Sequence, residues 1–296
     1  MNYFLLFLSA GLGAATSLVS RVVKRDSGKL SVASASNAAT FLIAFLTIAL
    51  FGACTGGKDF FSALGKAPWG LSLMYGGAMM TAQFLFLLAV GRGPVSVSTL
   101  FYSCGFILPT FWGMIRFDEP VTFLGMFGVA LVLGSFALST DRKDEEKKAD
   151  FLWWLFAVGA AVCSGIVGVA QKEFSALNAC SIDGFLFLSF ACSTVFGGVL
   201  ALLLKIVEKD GVATEKADWK RAVLGALPLG VIMGCANKLN TYLAGVFESV
   251  VTFPCVNGGR IVLTAILSAW IFKEKTALRQ KIAVVVGFLG IICISI

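Results

Sequence analysis

The chain has 296 residues, of which 58% are hydrophobic and only 14% charged, with a formal charge of +7 and no histidine. A soluble domain carries about 25% charged residues; at a mean hydropathy of +0.88 this chain cannot hide its apolar surface in a water-soluble core, so the bilayer is part of its solvent. The positive charge does not point to nucleic acid, because the Lys and Arg residues sit in short gaps between apolar runs, where they act as topology signals.

A membrane-spanning helix needs about 20 apolar residues. Uncharged runs of that order occur at Met1–Ser20, Leu30–Gly57, Trp69–Gly91, Gly93–Ile115, Pro120–Thr140, Phe151–Gln171 and Gly184–Leu204. Met1–Ser20 lacks the basic start of a signal peptide and reads as a retained first span. Three later runs need tolerance: Ala222–Phe247 holds Lys238, Ser249–Phe272 holds Arg260, and Ile282–Ile296 reaches full length if Lys281 snorkels. The expectation is an all-α integral membrane protein with ten transmembrane helices. The strongly hydrophilic stretches, 141–150 and 205–221, read as solvated loops. The eight cysteines are scattered without a CxxC pair, and no GxxxxGK[ST] sequence is present. Neither a metal site, a disulfide framework nor direct ATP drive is indicated, and no cofactor is expected.

The charged stretch at 141–150 divides the chain near its middle, into 1–140 and 151–296. A shift of 155 residues aligns Val90–Ala137 with Gly245–Ile292 without a gap, matching Val95 to Val250, Leu108 to Leu263 and Glu119 to Glu274. The acidic hinges RFDEP and IFKEK fall at equivalent places. A shift of 147 aligns the starts of the halves, pairing Ser17 with Ser164 and Arg25-Asp26 with Lys172-Glu173. Each half would hold five helices, and an odd number forces the second copy into the membrane upside down relative to the first. Two inverted five-helix repeats joined by a charged linker are therefore expected.

Five-plus-five helices, the short third-to-fourth turn GRGPVS, and a fourth-to-fifth hinge with a glutamate after an aromatic resemble the drug/metabolite transporter superfamily. Within it the chain is similar to the ten-helix EamA-type branch. The resemblance is clearest over Trp69–Thr140 and Leu224–Ile296. It implies a central cavity enclosed by the two repeats and a multi-pass protein of a bacterial plasma membrane. It also implies cytoplasmic termini. Charge counting points the other way: 18 of the 24 Lys and Arg residues lie in the gaps after the odd-numbered spans, and four lie in the remaining gaps. The positive-inside rule thus puts both termini outside.

All 17 carboxylates lie in loops or near helix ends. The first span carries Gly13, Thr16, Ser17 and Ser20 on one face but no acid, so the embedded glutamate that the superfamily's small multidrug branch uses to exchange protons for cationic drugs has no counterpart. The ions inside the spans are positive. Lys238 lies beside Asn237, Asn240 and Thr241, and Arg260 follows Asn257-Gly258-Gly259. A central Lys or Arg costs about 2.5–3.5 kcal/mol on insertion scales and must face a partner or water. No carboxylate is expected at their depth. Counted from the eighth-to-ninth turn, the two cations differ in depth by about 9 Å, close enough to line one cavity, and two unpaired cations suggest an anionic substrate group. In the repeat, Lys238 aligns with Gln83 and Arg260 with Gly105. Tyr102 shares a face with Thr99 and Ser103.

The candidate substrate-binding residues are Lys238, Arg260, Asn237, Asn257, Gln83 and Tyr102. The competing view is that Lys238 snorkels and Arg260 caps carbonyls freed at the glycine pair. Trp153, Trp154, Trp219 and Trp270 read as interfacial anchors, Pro109 and Pro254 as helix bends, and Glu119 and Glu274 as helix-end charges. The expected function is a secondary transporter of a small, anionic metabolite working by alternating access. A multidrug or amino-acid exporter of the same fold and a non-transporting membrane sensor remain alternatives. A lipid-modifying enzyme is disfavoured by the missing histidine and intramembrane acid. The expected partners are a small-molecule substrate and the lipid bilayer, not nucleic acid; the oligomeric state is open.

Overall fold

The computed structural model describes residues 2–23, 30–120, 122–139, 150–177, 180–207, 216–271 and 278–295, which form helices and no strands. Backbone polar groups in lipid must be satisfied within the segment, and a helix does so along its whole length. The elements are α1 (Asn2–Val23), α2 (Leu30–Leu64), α3 (Trp69–Arg92), α4 (Val95–Ser103), α5 (Ile107–Arg116) and α6 (Phe123–Ser139), followed by α7 (Phe151–Leu177), α8 (Ile182–Val207), α9 (Lys216–Val246), α10 (Ser249–Ile271) and α11 (Leu278–Ser295). A 3₁₀ turn, Cys104–Phe106, links α4 to α5, so these two form one broken pass and the described residues make ten helical passes. Seven of them are long and apolar enough to cross a bilayer by length and composition alone. Of the other three, α6 has 17 residues, α9 carries Lys238, and α11 takes in Arg279 and Lys281. The chain is an all-α, multi-pass integral membrane protein.

Helix ends differ from the hydropathy runs where polar residues join a helix. The sixth run ends at Gln171 by hydropathy, yet α7 continues to Leu177 and carries Lys172 and Glu173 as helical side chains. The last helix starts at Leu278, ahead of its apolar run, and Arg279 caps α6 by donating from Nη2 to the Ala137 carbonyl at 3.0 Å. The expected linker at 141–149, Glu274 and the side chain of Trp219 lie outside the described residues.

Packing between the halves pairs off. α3 lies along α7 as α1 lies along α9; α2 packs on α9 as α3 packs on α8; α4 and the 3₁₀ turn meet α7 as α1 meets α10. The second and seventh passes (α2, α8) pack on each other, as do the fifth and tenth (α6, α11). Several contacts correspond when each pass is exchanged with the one five places along, but those of α10 with α11, α10 with α6 and α7 with α9 have no counterpart of similar extent. At the α6–α11 crossing, a Cβ on Gly128 would press on the Gly290 carbonyl, and one on Gly290 would press on the Gly128 carbonyl. Backbone contact of this closeness is how helices associate in lipid, where burial of apolar side chains gives no advantage.

α1 enters from one end of the bundle, here the terminal end. The hinge at 117–120 and the α9–α10 hairpin lie at that same end, where the Tyr3 and Phe247 rings sit 5.2 Å apart. Trp153, expected as an interfacial anchor, is 2% exposed and donates from Nε1 to Ser98 Oγ at 3.0 Å, tying α7 to α4. Trp154 and Trp270 are exposed.

Candidate functional site

A cavity of about 170 Å³ lies between the halves, lined from α1, α3, the broken pass α4–α5, α7, α9 and α10. These are the first, third and fourth passes of each half. The lining includes Gly13 and Thr16, Gln83, Tyr102, Ser164 and Gln171, Asn237 and Asn240, and Asn257 and Arg260. No carboxylate is among the lining residues. A separate hollow of about 190 Å³ between α5 and α6 has only Thr110 as a polar liner and offers a substrate no charged group.

The broken fourth pass follows from Pro109. Its ring nitrogen cannot donate to the Gly105 carbonyl, so the helix loosens into a 3₁₀ turn just before it. Gly105 sits in that turn against α7, where a Cβ would meet the Ala161 carbonyl and Ser164. This close crossing brings Tyr102 to Ser164, to which its hydroxyl is hydrogen-bonded, while Gln83 Nε2 donates to the same hydroxyl at 3.1 Å. Pro254 produces no comparable break, and α10 runs through it.

Arg260 is the cavity's only charged liner. Its stem lies on Gly13 of α1, where a Cβ would stand 3.0 Å from Cδ. Nε donates to Ser17 Oγ at 3.0 Å. No carboxylate forms an ion pair with it among the described residues, and no oxygen there takes up its two terminal nitrogens. The capping alternative for Arg260 therefore finds no carbonyl partner. Ser17 on α1 serves Arg260 of α10, and its repeat counterpart Ser164 on α7 serves Tyr102 of α4, itself the counterpart of Asn257.

Five of the six candidate residues thus share one cavity: Gln83, Tyr102, Asn237, Asn257 and Arg260. Lys238 does not. Its Nζ lies 2.7 Å from Asp183 Oδ1 and 3.0 Å from Oδ2, and 4.9 Å from the centre of the Phe51 ring. Successive helical residues point about 100° apart, so Asn237 facing the cavity turns Lys238 toward α8 and α2. The expectation of no carboxylate at its depth is overturned by Asp183, which projects inward from the first turn of α8 and is 9% exposed.

Asn237 is largely occupied by protein, accepting from the Tyr75 hydroxyl at 2.6 Å and donating to the Met233 carbonyl at 2.9 Å. Asn257 donates to the Phe253 carbonyl at 2.9 Å. Thr99 and Ser103 are absent from the lining. Ser9 and Gln171 line it without having been singled out in the sequence; Ser9 donates to Asn240 Oδ1, and Gln171 Nε2 donates to Thr241 Oγ1 at 3.1 Å. Only their helical spacing from Gly13 and Ser164 would have signalled them.

Residues 151–296 match the family model described as "EamA-like transporter family", a family of the drug/metabolite transporter superfamily, which suggests a membrane transporter. A crystal structure of a protein matches with a TM-score of 0.73 and 15% identity, covering 99% of this chain and 95% of that one, a likeness of fold. No curated protein matches.

Proposed function

We propose that the protein is a secondary transporter of a small anionic metabolite, in which two inverted repeats, 1–140 and 151–296, alternately open the cavity to either side of a bacterial plasma membrane. The observation that carries this reading is Arg260: a guanidinium held by Gly13 and Ser17, with its terminal nitrogens untaken, in a cavity without a carboxylate. A planar fork of this kind grips a carboxylate or phosphate through two parallel hydrogen bonds. Tyr102, Gln83 and Asn257 would orient the rest of the substrate. Lys238, paired with Asp183, would act on the shape of α9 and not on the substrate. The proposal is transport without covalent chemistry, in keeping with the match of 151–296 to a transporter family.

An amino-acid exporter of the same fold shares the anion requirement but also needs a partner for an ammonium group. The lining offers only amides, hydroxyls and the rings of Tyr102, Phe106 and Phe253 for that task, which favours a simple anion. Counterflow in proteoliposomes with size-matched acidic, neutral and cationic metabolites tests both readings. Acidic compounds should exchange, and Arg260→Gln should raise their KM by about 10- to 100-fold, the worth of a charged hydrogen-bond pair. Binding without exchange would favour the sensor alternative, and unchanged kinetics in Arg260→Gln would remove the anion site.

A further inference from the structure

Outside the cavity, at the terminal end of the bundle, one buried ion pair joins the two halves. Lys172 of α7 lies 2.5 Å from Glu119 Oε1, with the two side chains only 12% and 8% exposed. Lys172 also donates to the carbonyls of Ala244, in the last turn of α9, and Phe247, just past its end, at 3.1 and 3.2 Å. The other Glu119 oxygen accepts from the Ser249 N–H, the first of α10, at 2.6 Å. The ammonium thus sits at a helix C-terminus and the carboxylate at a helix N-terminus, each complementing a dipole while holding the other. Three donors of Lys172 are spent on three acceptors. Glu119 is thus a helix-end charge, as its position in the sequence suggests, but it serves α10 across the molecule.

The local backbone aims Glu119 there. Asp118 adopts a left-handed conformation, φ 47°, which ends α5 and turns the chain back over it, the Glu119 N–H reaching the Gly113 carbonyl at 3.4 Å. Beside it, Trp112 Nε1 donates to Glu173 Oε1 at 2.7 Å and Arg116 approaches the same oxygen at 3.8 Å. The α5–α7 seam is therefore polar just where it leaves the cavity: Gln171, next to Lys172, and Thr252, one turn beyond Ser249, both belong to the cavity.

We infer that the Glu119–Lys172 pair, with its carbonyl and N–H partners in the α9–α10 hairpin, is the latch that closes the terminal end of the cavity, and that it must part for the cavity to open there. The inference rests on the alternating-access reading for its purpose, not for its test. The latch binds a hinge of the first half to a helix and a hairpin of the second, so any motion that separates the halves at this end has to break it. A buried pair with all donors satisfied makes two well-separated states in place of a graded one.

Sided labelling tests it without any substrate, so a failure here is distinct from a failure of the transport reading. The probe is Thr252→Cys in the full chain in proteoliposomes, treated with a membrane-impermeant maleimide from either side and read at that residue by peptide mass spectrometry, which separates it from the native cysteines. Combined with Glu119→Gln or Lys172→Met, labelling from the terminal end should rise by about tenfold, within the range of coupled conformational equilibria, and labelling from the far end should fall. A charge-preserving variant, Gly113→Ala, places a Cβ against Glu119 Oε2 and Ser249 and should produce the same shift. Should the charge variants lose cooperative melting, Gly113→Ala decides alone. Labelling equal to that of the Thr252→Cys parent in the variants that melt cooperatively overturns the latch.

Discussion

Arg260 and Lys238 are similar ions in sequence and opposite objects in structure. Arg260 is held by its stem and one nitrogen, leaving the fork free, whereas Lys238 is consumed by Asp183. Gly13→Ala should therefore damage transport through Arg260 alone. The added Cβ presses on the guanidinium stem, and KM for an acidic substrate should rise while the melting temperature changes little. Arg260→Lys keeps the charge but loses the fork and should recover only part of the affinity lost in Arg260→Gln. For Lys238 the expectation runs the other way. Lys238→Met or Asp183→Asn leaves one partner unpaired and should lower stability by about 1–3 kcal/mol, with the double variant losing less than the sum. KM for the acidic substrate should stay within about twofold. Thermal melting in detergent together with counterflow separates these outcomes. None of this difference was legible in the sequence: both cations lay in apolar runs, and Asp183 stood at a helix start 55 residues from Lys238. Asn237 beside Lys238 was the one available clue, since neighbours on a helix cannot share a face.

At the scale of the element, the broken fourth pass links local chemistry to the site. Three residues of 3₁₀ helix advance about 2.0 Å each, against 1.5 Å in an α-helix, and turn about 20° further per residue. Across Cys104–Phe106 that sets the register of Tyr102 on one side against Gly113 and the hinge on the other. Pro109→Ala restores the missing N–H and allows α4 and α5 to fuse. Fusion would rotate Tyr102 relative to Gln83 and Ser164, its present hydrogen-bond partners. The variant should melt at a higher temperature and turn over more slowly, a pairing that a merely weakened fold cannot give. The existence of this pass was readable from its apolar run, and Pro109 was readable as a bend. The location of the break was not, because Gly105 and Cys104 yield only where α7 crosses them. Helix ends were misread for a related reason: hydropathy stops at Lys172, but the backbone has no reason to stop where the side chain finds carbonyls to cap.

The whole molecule combines packing that corresponds only in part between its halves with a one-sided distribution of charge along the sequence. The number of passes was legible because the bilayer imposes a length on every helix; the hinges at Glu119 and Glu274 recur at one spacing in the sequence, and Glu274 lies outside the described residues. Orientation is a separate property, set by the loops. The gaps holding 18 of the 24 Lys and Arg residues follow the odd-numbered passes, whereas Glu119 and Lys172 stand at the ends of even-numbered ones. The positive-inside rule weighs short loops of this kind heavily, so the far end should be cytoplasmic and the terminal end, with Glu119 and Lys172, should face outward. The family resemblance implies the reverse, which makes the measurement informative. A reporter active only in the cytoplasm, fused after Ile296, should be silent, and one active only outside should report. With that result the latched state is one closed to the exterior, and parting Glu119 from Lys172 is the step that exchanges substrate with the outside. With the opposite result the same latch guards the cytoplasmic side, and the far-end charges need another cause, such as pairing with the acidic residues in the same stretches of sequence, 141–150 and 205–221.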